Sequence, residues 1–226
     1  MGVDCSCLSL DWSLGGNQSL DKLRMVPPFL FTNYFIIMKR LFLFLLLIAS
    51  FVCISAQNHI EFMGVPVDGN INDFIVKLEA KQFKVKKRID NIVIMNGKFA
   101  GESAEIFVAS TNKTKTVWKV SVYFDEKSSW YSLKADYKKY KELFTAKYGK
   151  PTDSFEFFSN PYYEGDGYEL SALKRDKCHY TTFFEKEIGI IAVQISSVCS
   201  IELIYEDALN SEIKNREKNS SILDDI

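Results

Sequence analysis

Three stretches hold side chains whose types and spacing could do chemistry. In the first, "CHYTTFFE", Cys178 stands beside His179, the residue types of a thiol nucleophile and its base. Such a pair works only when the imidazole reaches the sulfur by a hydrogen bond. Adjacent residues of a strand point to opposite faces, so His179 is expected to be an ordinary, partly exposed strand residue. Cys199 is the remaining cysteine downstream of residue 57. In "CHYTTFFEKEIGIIAVQISSVCSIELIYE" the two cysteines open the first and third strands of an expected meander, which would bring their Cα atoms toward bridging distance. A Cys178–Cys199 disulfide is the leading expectation for an exported chain and would contribute about 3 kcal/mol by constraining the unfolded state. Two buried free thiols, or a reactive or metal-binding cysteine, are the alternatives.

The second stretch is "SNPYYEGDGYELS", residues 159–171. Glu164, Asp166 and Glu169 crowd between glycines, and Tyr162, Tyr163 and Tyr168 add flat amphipathic surface. Carboxylates this close suit calcium, but the 12-residue loop with its closing glutamate is missing. They suit sugar hydrolysis only at a defined carboxyl separation. A plain solvated turn is the default; recognition of a protein or glycan surface through the tyrosines is the functional reading that comes next. The third stretch, "KLEAKQFKVKKRI", concentrates Lys77, Lys81, Lys84, Lys86, Lys87 and Arg88. Such a cluster can meet phosphates or anionic headgroups. Lysines at a helix C-terminus also complement the dipole, and a solvated face is expected.

Nothing else implies a metal or cofactor. His59 is the only other histidine, so neither a His-rich zinc site nor HExxH is possible. "GKFAG" and "LGG" lack nucleotide-loop spacing, and GxxxxGK[ST] does not occur. "NKT" and "NSS" satisfy the glycan sequon. The 28 Lys plus Arg balance 29 Asp plus Glu, a formal net of −1, which argues against wholesale electrostatic capture of nucleic acid.

The elements that must position these residues are legible from periodicity. In "NINDFIVKLEAKQF", Ile71, Phe74, Ile75 and Leu78 gather on one helical face, with Asn70 or Asn72 as cap. "KVKKRI", "NIVIMNGKFAG", "SAEIFVAS" and "VWKVSVYF" read as strands. In the last of these, Val117, Lys119, Ser121 and Tyr123 share one face and Trp118, Val120, Val122 and Phe124 the other, which predicts a sheet with one wet and one dry side. A second helix carries the stripe Leu133, Tyr137, Tyr140, Phe144 and Tyr148 and stops at Gly149 and Pro151. "SFEFF", "YELSAL", "CHYTTFFE", "GIIAVQISS" and "CSIELIYED" then read as strands. Connections are too short for parallel crossovers, so the expected class is α+β, a single domain of two helix-plus-antiparallel-sheet half-units related by duplication.

The domain starts well inside the chain. "MKRLFLFLLLIASFVCISAQN" has the zones of a secretory signal: Lys39 and Arg40, an apolar core, and small residues before an expected cleavage after Ala56. The charge-free run from Leu41 to Ala56 is 16 residues, short of the roughly 20 that span a bilayer. Residues 38–56 are therefore read as a signal peptide and 1–37 as a start-site artefact or disordered extension. The α+β domain is placed at 57–210 and a polar flexible tail at 211–226. The protein is expected to be exported, periplasmic or extracellular, touching a membrane only through an uncleaved signal.

The signal ending in "SAQ", "GVPVDGNINDFIVKLEAKQF", "MNGKFAGESAEIFVAS", the helix exit "LFTAKYGKP" and "IIAVQISS" followed by "IELIYEDALN" together resemble uncharacterised exported α+β proteins of Bacteroides-like bacteria. Their helix-plus-antiparallel-sheet units are similar to those of the β-lactamase-inhibitory-protein group and of an outer-membrane-assembly lipoprotein of the same topology. The resemblance covers roughly residues 59–210. It implies a non-enzymatic module that binds a protein, peptide or surface polymer through the sheet face or its loops, and it transfers no binding residue. A small hydrolase using Glu164, Asp166 or Glu169, or a purely structural envelope protein, are the competing readings. An interaction module should show clustered aromatics on an exposed sheet face or in the 159–171 loop.

Overall fold

A computed structural model describes residues 59–224. The expected extension at 1–37 and the expected signal peptide at 38–56, with its expected cleavage after Ala56, lie outside the described residues. A short hairpin of β1 (Glu61–Phe62) and β2 (Val65–Pro66) leads into α1 (Ile71–Glu79). The Asn70 side chain accepts the Asn72 amide at 2.9 Å and so caps that helix, whose expected face of Ile71, Phe74, Ile75 and Leu78 is buried. Four strands follow: β3 (Lys84–Ile89), β4 (Ile92–Phe99), β5 (Glu102–Ser110) and β6 (Val117–Phe124). The second half repeats that order with α2 (Trp130–Tyr148), β7 (Asp153–Phe158), a short α3 (Glu169–Lys174), β8 (Cys178–Lys186), β9 (Gly189–Ile195) and β10 (Ile201–Asp207). The last described element is α4 (Ala208–Asp224).

The eight long strands form one sheet in the order β3-β4-β5-β6-β10-β9-β8-β7, with every neighbouring pair antiparallel. At every strand-to-strand turn within a half except β7–β8, where residues 159–177 carry α3, short loops permit hairpins only; each half is a four-stranded antiparallel meander behind its helix. The two meanders meet through their last strands, β6 and β10. Their first strands, β3 and β7, therefore become the two edges of the sheet.

One face of this sheet is covered. Val108, Val120, Val122, Val193, Leu203 and Tyr205 join the buried residues of α1 and α2 in a single core. Tyr140 stacks on Phe124 at 4.6 Å, and the Tyr137 hydroxyl bonds to Thr182 at 2.5 Å within that core. Ser129 caps α2 by accepting the Ser132 amide, and Gly149 ends it at a φ of 92° that only glycine adopts without strain.

The α+β class, the antiparallel sheet and the two helix-plus-sheet half-units are as the pattern predicts, and four local expectations are not. "YELSAL" is not a strand: Glu169–Lys174 is the helix α3, with Ala172 and Leu173 buried. Beyond Asp207 the chain is helical through Asp224, where the polar composition suggests a flexible tail. Buried Asp207 accepts the amides of Asn210 at 3.0 Å and Ile60 at 3.0 Å, and His59 Nδ1 lies 3.1 Å from it; it thereby caps α4 and ties down the first described residues. A β-bulge at Ala109–Ser110 pairs Ser110 with Val117, so Val117 is buried with the core and the expected alternation breaks at Trp118.

The disulfide expectation is overturned. Cys178 and Cys199 are both free and both buried. Strand β9 lies between β8 and β10, and two strand spacings amount to roughly 10 Å, past the roughly 7 Å over which Cα atoms can be bridged. Cys199 also does not open a strand: it sits in the β9–β10 turn with a φ of 58°. Burial, with Glu164 and Glu169 nearby, pushes the Cys178 thiol up to about 12, and burial likewise raises Cys199. Both therefore remain protonated and unreactive at neutral pH.

Candidate binding face

In the 159–171 loop each carboxylate holds partners of its own. Glu164 pairs with Lys134 and accepts the Tyr180 hydroxyl at 3.3 Å, and the Lys134 hydrogen bond holds its carboxyl below the usual range. Asp166 accepts the backbone amides of Tyr163 at 3.1 Å and Tyr168 at 2.7 Å, a bond pattern that shapes the turn itself. Glu169 accepts the Gly165 amide at 2.8 Å. Each acid is occupied with a different local partner. Tyr162 packs against the core, which leaves Tyr163 and Tyr168, 65% and 64% exposed, as the outward surface of the loop.

The aromatics that cluster lie on the other face of the sheet. Side chains alternate along a strand, so the ladder registers define rows that cross the open face. One row runs Ile94, Phe107, Ser121, Ile204, Ala192, Phe183 from β4 to β8. The next runs Glu105, Tyr123, Glu202, Gln194, Thr181, Phe155 from β5 to β7. Beyond it His179 pairs with Phe157, their rings 5.0 Å apart, while Phe155 meets Phe183 edge-on at 6.2 Å. Phe155 and Phe157 are 44% and 48% exposed. Cys178 faces the core and His179 this open face, as strand alternation requires.

The two edges of the sheet are built differently. β3 carries Lys84, Lys86, Lys87 and Arg88 and a bulge between Val85 and Lys87, features that discourage a further strand or partner from pairing there. β7 pairs with β8 over its whole length without a bulge, and its open face carries Asp153 followed by Phe155 and Phe157. Its other acid, Glu156, turns to the covered side. Burial raises that carboxyl, but hydrogen bonds from Lys141, Tyr137 and Ser154 outweigh burial and lower it overall.

At the end of the open face formed by the start of β8 and the end of β9 lies a recess of about 260 Å³. Tyr123, His179, Thr181, Gln194 and Glu202 contribute from the strands, with Asp176 and the 196–198 turn at its rim. Gln194 Nε2 donates to Glu202 Oε2 at 2.5 Å. Burial and the neighbouring Glu202 raise the Tyr123 phenol, which stays protonated. At the opposite end α4 bounds the face, where Ser211 donates to Glu206 at 3.1 Å and Lys214 lies over the Trp118 ring at 4.6 Å.

Two further recesses are less selective in their lining. One of about 520 Å³ includes His59, Lys147, Tyr148 and Lys186; one of about 790 Å³ lies beside Phe83, Lys84, Gly97 and Lys98. No group of three or more His, Cys, Asp or Glu side chains among the described residues could hold a metal ion. No helix among them is long and apolar enough to cross a membrane.

Phe155, Phe157, Phe183, Tyr123 and Glu202 were not singled out by sequence reasoning. The available signal is the aromatic content of "SFEFF" and "CHYTTFFE" on both strand parities: a strand with one wet side has no packing reason to place phenylalanine on both. Compared with protein-family models, curated proteins and solved structures, the chain has no significant match.

Proposed function

We propose that this protein is an exported, non-enzymatic module that binds another protein across the open face of its sheet, with Phe155, Phe157 and Phe183 as the centre of contact. The observation that carries this reading is the placement of these rings. They stand on the face away from α1 and α2, at an edge strand without a bulge, and two of them are nearly half exposed. Exposed aromatics gathered at one edge cost solubility and contribute little to a core, so they mark an interaction surface. The resemblance to sheet-face binders and the leader sequence at 38–56 agree with that reading. The internally bonded acids of the 159–171 loop give no comparable support to hydrolysis.

A photo-crosslinking residue placed at Phe157, and as a control at exposed Leu143 on α2, tests the proposal in the native host. One discrete crosslinked protein from position 157 and none from position 143 is the expected pattern. Equal crosslinking from both sites, or none from 157, would remove the open face as the contact surface.

A further inference from the structure

We infer that the bound protein seats a lysine or arginine side chain in the recess at Glu202; this rests on the open-face reading above and specifies the chemistry of the partner. Glu202 projects from β10 onto the open face yet is only 5% exposed. A carboxylate removed from water needs a cation or a full set of hydrogen bonds, because its desolvation costs several kcal/mol on an order-of-magnitude scale. Four other glutamates on or beside this sheet have a cation: Glu105 pairs with Lys86, Glu102 with Lys139, Glu156 with Lys141 and Glu164 with Lys134. Glu202 is more buried than any of these, and its hydrogen bond comes from a neutral group, the Gln194 amide. A carboxylate offers about four acceptor positions, so one neutral donor leaves it part-satisfied.

The recess is shaped for what is missing. Two carboxylates, Glu202 on the floor and exposed Asp176 at the rim, face it together with the rings of Tyr123 and His179, and no lysine or arginine lines it. Two acids with neutral neighbours do not make a metal set, in keeping with the absence of any three-ligand group among the described residues. A volume of about 260 Å³ falls below the roughly 300–1,000 Å³ of sites that enclose a whole small molecule, but it admits one long side chain entering from a surface laid across the face. Lysine and arginine meet this geometry with an apolar stem that lies along aromatic rings and a charged head that reaches the carboxylate. The phenylalanine edge and the acidic recess are neighbours on one surface, since Phe157 pairs directly with His179. A partner offering an apolar patch beside one basic residue fits both.

The direct probe is N-acetyl-arginine methylamide, with N-acetyl-citrulline methylamide as its neutral isostere, titrated into the isotope-labelled full chain and followed by NMR. The expected result is a dissociation constant at least tenfold lower for the arginine compound, with shifts confined to Tyr123, His179, Gln194 and Glu202. Glu202→Gln, which keeps size and hydrogen bonding, should erase that difference. Equal affinities for the two compounds, or no shift at these residues with either one, would overturn the inference on the unmodified protein, whether or not the variant folds. Crosslinking from position 157 reads the parent proposal separately: a partner captured there while arginine and citrulline behave alike would sink the basic anchor and leave the binding face standing.

Discussion

Phe183 and Phe184 are neighbours in β8 and belong to two different proteins in effect. Phe184 is buried in the core against Phe144 and Tyr148 of α2, whereas Phe183 stands on the open face among Phe155 and Ala192. The covered face is where folding energy is made: aromatic and aliphatic side chains from both helices close over the central strands there. The open face shares the same backbone but lacks such a cover over its phenylalanine edge. What the contrast teaches is that a hydrophobic residue on the covered side is explained by folding, and one on the open side calls for a partner.

The comparison breaks or sharpens most strongly through paired substitutions. Phe184→Ala should cost about 3–5 kcal/mol, read as a lower midpoint in urea unfolding, because it leaves a cavity in the core. Gly97→Ala should cost about 1–3 kcal/mol by overpacking, since an added Cβ would fall 2.2 Å from the Phe83 ring on the covered side. The double variant Phe155→Ala, Phe157→Ala should lose less than about 1 kcal/mol by the same measurement, the scale of cross-strand pairs at a partly exposed edge. If that double variant unfolds as easily as Phe184→Ala, the open face is a folding surface and the contrast fails.

The smallest effect concerns α4. Burial raises the Glu217 carboxyl, but the amides of Lys113 and Thr114 and the Thr114 hydroxyl bind its charged form and bring it from 4.5 down to about 2. A carboxyl depressed on folding stabilises the folded state above its unfolded value and loses that contribution as pH falls toward its folded value. The protection factors of the Lys113 and Thr114 amides, corrected for the intrinsic pH dependence of exchange, should therefore fall between about pH 4.5 and pH 2, ahead of those in the central strands. Unchanged protection down to pH 2 would show that Glu217 does not hold the helix to the β5–β6 loop.

Most of the fold was legible because periodicity reports burial. The stripe from Leu133 to Phe144 and the face from Ile71 to Leu78 could be buried in only one way, and Asn70 and Gly149 marked where their helices begin and end. Short loops then forced antiparallel pairing everywhere but between β7 and β8, whose connection carries α3. What was not legible depended on which strands become neighbours. Cys178 and Cys199 looked bridgeable along the sequence, but β9 lies between β8 and β10, Cys199 sits in the turn that joins β9 to β10, and both thiols are free. The acids of 159–171 looked convergent because they are close in sequence, but each found its own amide or lysine. Nothing in the sequence marks Glu202, and only the pairing of β10 with β6 and β9 sets it beside Tyr123 and Gln194.

The most direct measurement of whether the open face is used is radical footprinting of the protein inside its native host, compared with the same protein purified. Phe155 and Phe157 should be labelled several-fold less in the host, while Tyr131 and Leu143 on the exposed side of α2 label equally in both states. Equal labelling of all four residues in both states would contradict the account, because it would leave the phenylalanine edge bare where a partner was required.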